Sequence, residues 1–235
     1  MKLKEKTSDK ISFVEEVEES LVNAIRRYVN EIPISAIDEV EIFKNDSALY
    51  DETIAHRLGL IPLKTDKDID DKKSIKLKLV TNKEGIVYSR ELKGNISPVY
   101  EDMPITALSN DQELEVVAEV RTGRGKEHAK FSPGLIFYNN VLEIKTGSKS
   151  KEIAEIFSQC PHGCGRDMKI ENNHSYELEI CDACEYSLEK IGIRLEPTAK
   201  QAMHIESFGQ LNVKEILPLA IKELKKDLNA VSKKL

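Results

Sequence analysis

The chain has 235 residues, 40% of them hydrophobic and 32% charged, which supplies apolar material for a buried core in one large domain or two to three small ones. No run of about 18 apolar residues occurs and the opening "MKLKEKTSDK" has no apolar stretch behind its cations, so neither a membrane span nor a secretory leader is expected, and the setting is expected to be cytoplasmic. A formal net charge of −6 lacks the positive field of a free-standing nucleic-acid binder, so any contact with DNA is expected to be local or indirect.

Residues 3–6 and 11–14 read as short strands joined through Ser8 and Asp9, ordinary turn formers. A helix is expected in "ESLVNAIRRYVNEIP": Leu21, Val22, Ala24, Ile25, Tyr28 and Val29 recur at helical spacing, Ser20 is placed to cap it, and Pro33 stops it. Arg26 and Arg27 border its apolar stripe. In "YDETIAHRLGLIPL" a second helix carries Ile54, Ala55 and Leu58 on one face. There Asp51 is the expected cap, Gly59 the left-handed exit and Pro62 the block. A charged loop, "KTDKDIDDKK", follows.

The alternation in "SIKLKLV" and the turn around "NKEG" predict a hairpin over residues 74–89, and "ELEVVAEVRTG" predicts a strand over 113–123. Beyond a cysteine-bearing segment, residues 152–188, "GIRLEP" and "QAMHIES" read as strands. Residues 213–231 form the clearest helix, with Ile216, Leu217, Ala220, Ile221, Leu224, Leu228 and Val231 on one face and Pro218 in its first turns. Two amphipathic helices thus lie near opposite ends of the sequence. Either they cover a sheet, or the two ends form one domain with the middle inserted, leaving apolar faces for a dimer surface.

Between the strand at 113–123 and Pro133 runs "RTGRGKEHAKFSP", rich in glycine and cations. It lacks the Gly-Lys-Ser/Thr spacing of a phosphate loop, and His128 beside Glu127 has no nucleophile in a recognisable arrangement. A third reading is that Gly123 and Gly125 permit a bend while Arg124, Lys126 and Lys130 reach carboxylates on a neighbouring element or partner chain. A merely solubilising basic loop is the plain alternative.

All four cysteines fall in one short stretch. Cys160 and Cys164 are separated by three residues and Cys181 and Cys184 by two, so two chelating turns are placed to close a tetrahedral thiolate site, with Zn2+ the default ion. The alternative is an Fe–S cluster: Cys160 precedes Pro161, and "CDACEYS" begins a ferredoxin-type run with Ser187 at its third ligand position. The remaining alternative is that the thiols are unligated members of a small packed domain, and His162 and His174 are spare ligands more typical of a surface. Ligation would stabilise a segment that carries few apolar residues of its own.

Four stretches together, "SLVNAIRRYVNEIP", "YDETIAHRLGLIPL", "RTGRGKEHAKFSP" and "ESFGQLNVKEIL", resemble the D-type assembly subunits of archaeal DNA-directed RNA polymerase, a family related to the eukaryotic third-largest subunit and the bacterial α N-terminal domain. The resemblance spans nearly the whole chain. It implies an α+β fold with a discontinuous dimerisation domain from residues 1–45 and 198–235. It further implies an inserted β-rich domain over 46–151 and a small ferredoxin-like or zinc-like subdomain over 152–197.

By the same resemblance the chain is a non-catalytic assembly platform inside a nucleotidyltransferase complex. It is expected to pair with small subunit L through Leu21, Ile25, Tyr28, Ile216, Ala220, Leu224 and Leu228. Recruitment of subunits N and P and of the second-largest subunit would follow, with docking to the large catalytic subunits through Arg26, Arg27, His56, Arg57, Arg124, Lys126, His128 and Lys130. The polymerase Mg2+ site belongs to the largest subunit. Where relatives carry a full cysteine set for an Fe–S cluster, this chain has Ser187 and an additional Cys164, which favours zinc or an empty site. The competing function is a stand-alone metal or Fe–S protein.

Overall fold

A computed structural model describes residues 2–65, 75–165 and 168–234, so most of the charged loop at 64–73 lies outside the described residues. In chain order the elements begin with β1 (Lys2–Lys6), β2 (Lys10–Glu16), α1 (Glu19–Tyr28), β3 (Ile34–Asn45) and α2 (Asp51–Gly59). Next come β4 (Ile75–Thr81), β5 (Gly85–Tyr88), β6 (Lys93–Gly94), β7 (Pro104–Leu108), β8 (Leu114–Gly123) and β9 (Gly134–Lys145). The chain closes with α3 (Ser150–Ser158), β10 (Ser175–Leu178), α4 (Asp182–Lys190), β11 (Leu195–Ser207) and α5 (Val213–Ser232). Among the described residues no helix is long and apolar enough to cross a membrane.

The fold is α+β, and its residues pack as two compact units. One comprises residues 7–10, 24–136 and 205–235. Its main sheet has the order β3-β8-β4-β6, with β5 and β7 paired separately. The period-two pattern of β8 turns Leu114, Val116, Ala118 and Val120 inward, where they meet Leu77 and Leu79 of β4 and Ile54 and Leu58 of α2. The other unit comprises residues 1–6, 11–23 and 137–204. It holds most of a five-stranded sheet, β1-β2-β11-β9-β10, together with α3 and α4. Ile144, Ile153, Phe157, Leu178, Leu188 and Ile193 surround Cys160 and Cys184 in its core. The cysteine segment completes that core with Ile144 and Ile193, from outside its own span.

Several local expectations give way to tertiary partners. β4 does not pair with β5: it finds seven partners along β8, from Ile75↔Val120 to Thr81↔Leu114, more register than a four-residue β5 offers. β5 pairs instead with β7, and Gly85, at φ 119°, diverts the chain between β4 and β5. The two strands expected around 192–207 are the single strand β11. Its polar middle is held by β9, with Thr198 Oγ1 donating to Val141 O at 2.8 Å and Gln201 Nε2 to Asn140 Oδ1 at 2.9 Å.

Helix ends differ too. α1 starts at Glu19, with the amides of Leu21 and Val22 donating to Glu18 O, so Ser20 lies inside the first turn. Asp51 is the first residue of α2 rather than its cap, and its carboxylate accepts from Asn45 Nδ2 at 2.7 Å. Gly59 is absent from the left-handed glycines and remains within α2, with Leu60 closing the helix. α5 is capped by Asn212, whose Oδ1 accepts from Lys214 N at 3.1 Å, and it tolerates Pro218.

The connection from β8 to β9 contains one short 3-10 turn, Ala129–Phe131, capped by His128, whose Nδ1 accepts from Lys130 N at 3.1 Å. Neither Gly123 nor Gly125 uses left-handed backbone; each permits close approach. A Cβ on Gly123 would lie 2.6 Å from the ring of Phe131, and one on Gly125 would lie 2.7 Å from Asn30 Oδ1. Because Phe131 is wholly buried, its ring has no room to yield. Gly123→Ala is therefore expected to destabilise the protein by about 1–3 kcal/mol, read as a lower urea midpoint with unchanged slope.

Candidate metal centre and assembly surfaces

The four thiols converge although the two pairs lie far apart in sequence. α3 ends just before Cys160, whose amide donates to Phe157 O at 3.2 Å. Gly163 at φ 74° and Gly165 at φ 60° turn the chain around Cys164, and Gly165 lies against the Phe157 ring. Cys181 forms the N-cap position of α4 and Cys184 sits in its first turn, where the helix dipole favours negative charge. All four Sγ atoms lie within 4.8 Å of one another, and Cys160 and Cys181 approach to 3.6 Å. A zinc–sulfur bond of about 2.3 Å sets tetrahedral S···S edges near 3.8 Å, so the four sulfurs are close enough together to hold a metal ion.

Its electrostatics suit a cation. Burial opposes ionisation of Cys160, but hydrogen bonds from the Cys164 backbone and from the Cys184, Cys164 and Cys181 thiols bring its pKa down to about 6. Burial pushes Cys164 up to about 11, and it raises Cys184 as well, with the neighbouring thiols adding to both. One thiolate is thus accommodated by the other thiols, and further deprotonation calls for a positive charge among them. Ser187 is not part of the cluster, since its hydroxyl donates to Ala183 O at 2.8 Å within α4. His162 and His174 do not join the four-sulfur group either.

Beside the thiols lies a cleft of about 1010 Å³ lined by Cys164, Cys181, His162, Lys4, Glu179 and His204, among others. Glu179 is its polar centre, accepting from Asn139 Nδ2 at 2.6 Å and lying 2.9 Å from His204 Nε2 and 3.2 Å from Lys4 Nζ. Burial alone would raise its pKa; hydrogen bonds with His204 and Asn139 and the charges of His204 and Lys4 hold it at about 2. His204 continues to Ser12 at 2.9 Å and stacks on Phe137. Ser12 is 6% exposed and does not line the cleft, which is the wrong placement for a nucleophile. Sequence reasoning missed this network because Lys4 and Glu179 are 175 positions apart and no local pattern marks them.

The cationic loop is engaged with the chain's own acids. Arg121 Nε reaches Asp38 at 2.8 Å and its Nη1 reaches Glu127 at 3.0 Å, while Lys130 Nζ lies 2.7 Å from Asp38. Arg124 Nη1 donates to Glu31 O at 2.9 Å and lies 3.2 Å from Glu31 Oε2 and 3.5 Å from Glu223 Oε2. Lys126 Nζ lies 2.8 Å from Glu31 Oε2. Arg57 donates to Ile105 O at 2.8 Å. Arg26, Arg27, His56, Arg57, Lys126 and His128 keep exposed surface, whereas Arg124 and Lys130 are half-buried.

The residues expected at a dimer surface divide. Ile25, Ile216 and Ala220 are buried in the chain's own core. Tyr28 hydrogen-bonds Asp227 at 3.1 Å, and Leu224 is half-buried. Leu21, at 47% exposure, and Leu228, at 59%, face solvent. Ile221, Leu224, Leu228 and Val231 continue the apolar stripe of α5 beyond Ala220, and Val231 is 57% exposed.

The family model described as "RNA polymerase Rpb3/RpoA insert domain" matches residues 40–137. The DNA-directed RNA polymerase subunit Rpo3 of Pyrococcus horikoshii is 36% identical, covering 95% of this chain and 93% of the relative. Rpo3 of Thermococcus kodakarensis is 34% identical over 95% and 92%, and Rpo3 of Pyrobaculum calidifontis is 34% identical over 94% and 92%. The chain belongs to the Rpo3 family, the archaeal branch of the Rpb3/RpoA polymerase subunits, and its function is assembly within that transcription complex.

Asp38 provides a pH-dependent test of the loop's anchoring. Hydrogen bonds from Arg121 and Lys130 hold its carboxyl below the usual 3.8. Its contribution is therefore complete above that value and is lost as pH falls through the lower folded-state pKa. Asp38→Asn is expected to lower stability at neutral pH and to flatten the acid limb of a stability–pH profile below about pH 5, measured by urea unfolding across pH.

Proposed function

We propose that this chain pairs with small subunit L through the apolar stripe on the outer half of α5, and that the pair then nucleates addition of N, P and the second-largest subunit. The observation that carries this reading is the apolar stripe on α5 beyond Ala220. Ile221, Leu224, Leu228 and Val231 lie at helical spacing on a segment where no described residue is buried. Exposed large apolar residues in such a row are the mark of a protein interface. Leu21 of α1 is a further proposed contact. Functionally, the ends of the chain, 1–45 and 198–235, would serve pairing, with 46–151 as the inserted part and 152–197 as the cysteine subdomain.

Arg26, Arg27, His56, Arg57, Lys126 and His128 are the proposed contacts to the large subunits, since each keeps exposed surface. The chain itself would contribute no catalytic group, and its setting would be the cytoplasm. Zn2+ is the proposed occupant of the thiolate site, held by Cys160, Cys164, Cys181 and Cys184. Sulfur spacing supports it: a four-iron cluster would stand between its ligands and hold them further apart than a single ion does.

Co-expression with L provides the test. Leu228→Asp is expected to abolish co-purification with L while leaving the chain folded by circular dichroism; normal pairing would overturn the reading. For the metal, elemental analysis of anaerobically purified protein is expected to give one zinc per chain, lost when Cys160 and Cys184 are both changed to serine. Iron with acid-labile sulfide and visible absorption would assign a cluster instead.

A further inference from the structure

We propose that Arg124 is a positioning residue for pairing with L: by bridging Glu31 and Glu223 it fixes the direction of the outer half of α5, so that the pairing face is preformed. The inference rests on the pairing surface proposed above and adds the group that sets its geometry.

The buried residues of α5, Val213, Ile216 and Ala220, all lie in its first half. The twelve residues from 221 to 232 extend beyond the last buried one, a projection of about 18 Å at 1.5 Å per residue. Among the described residues, two polar contacts along that length reach the rest of the unit. Tyr28 meets Asp227 at 3.1 Å, and Arg124 meets Glu223 at 3.5 Å. The pair between Lys226 and Glu223, at 3.6 Å, lies within the helix and cannot set its direction.

The other end of the Arg124 bridge is fixed. Its Nη1 donates to the Glu31 carbonyl at 2.9 Å and lies 3.2 Å from that residue's carboxylate. Lys126 grips the same carboxylate at 2.8 Å, and its backbone amide donates to Asn30 O at 3.3 Å. Gly125 lies so close to Asn30 that a Cβ would fall 3.1 Å from the Asn30 Cα. Phe131, packed under Gly123, holds the base of the loop. A planar guanidinium with several donors can serve a carbonyl and two carboxylates together, which an ammonium does less well. The side chain of Glu223 is only 14% exposed, so loss of Arg124 would leave it short of a counter-charge in a partly dry setting.

The test uses the full chain with L and four variants. Arg124→Ala is expected to weaken pairing by about tenfold or more through lost preorganisation, and to speed amide exchange across residues 221–232 of the free chain while leaving residues 114–120 unchanged. Arg124→Lys is expected to restore part of both effects, and Glu223→Gln to reproduce them with the loop intact. If Arg124→Ala fails to fold, Glu223→Gln decides alone: unchanged exchange in α5 overturns the proposal. If Leu228→Asp abolishes pairing but Arg124→Ala and Glu223→Gln pair normally, Arg124 has no positioning role. If Leu228→Asp also pairs normally, the pairing surface itself was misplaced.

Discussion

Two carboxylates seven residues apart, Glu31 and Asp38, determine where the cationic loop lies. Glu31 follows α1 and takes Arg124 and Lys126; Asp38 stands within β3 and takes Arg121 and Lys130. The loop is thereby stretched across the entry to β3, with Phe131 buried beneath it and the Arg121 guanidinium over that ring at 4.9 Å. Each ion pair at the surface would be worth little by itself. Here they share partners, are partly sheltered and surround a buried aromatic ring, so they act as one anchored network.

The thiolate site follows a different logic. Its ligands come from a turn shaped by two left-handed glycines and from a helix N-terminus, and both are fixed by packing around Phe157, Leu178 and Leu188. Two of the sulfurs, those of Cys160 and Cys184, belong to buried core side chains. The ligands thus share their core with apolar side chains of α3, β10 and α4.

How much of this was legible in the sequence depended on the range of the interaction. Helices α1, α2 and α5 could be read because their apolar residues recur at helical spacing, and the cysteine pairs could be read because chelation imposes short spacing. Pairing choice could not: the alternation in β4 specifies its buried face but not that β8, some forty residues on, outcompetes β5. Caps were misplaced by a residue or so at Ser20 and Asp51, because Glu18 and Asn45 offered competing partners. Glycines at 123 and 125 suggested a bend, whereas their use is close approach, a property of the neighbours Phe131 and Asn30 and not of the loop. The Glu179 network gave no signal because its members come from β1, β2, β9, β11 and the residue that follows β10.

The same loop shows why a cluster of cations in an acidic protein is poor evidence for an anionic ligand. With 41 acidic side chains against 35 lysines and arginines, a buried or half-buried cation in this chain meets an internal carboxylate more readily than an external one. Half-buried Arg124 and Lys130 and exposed Arg121 each tie the loop to an acid of another element, while the exposed Lys126 adds to a carboxylate already taken. The pairing partner thus separates cations that shape the molecule from those whose charge remains available at its surface. In the proposed assembly role, the cations that tie the loop down would fix the direction of the pairing face, and those with open charge would meet what docks.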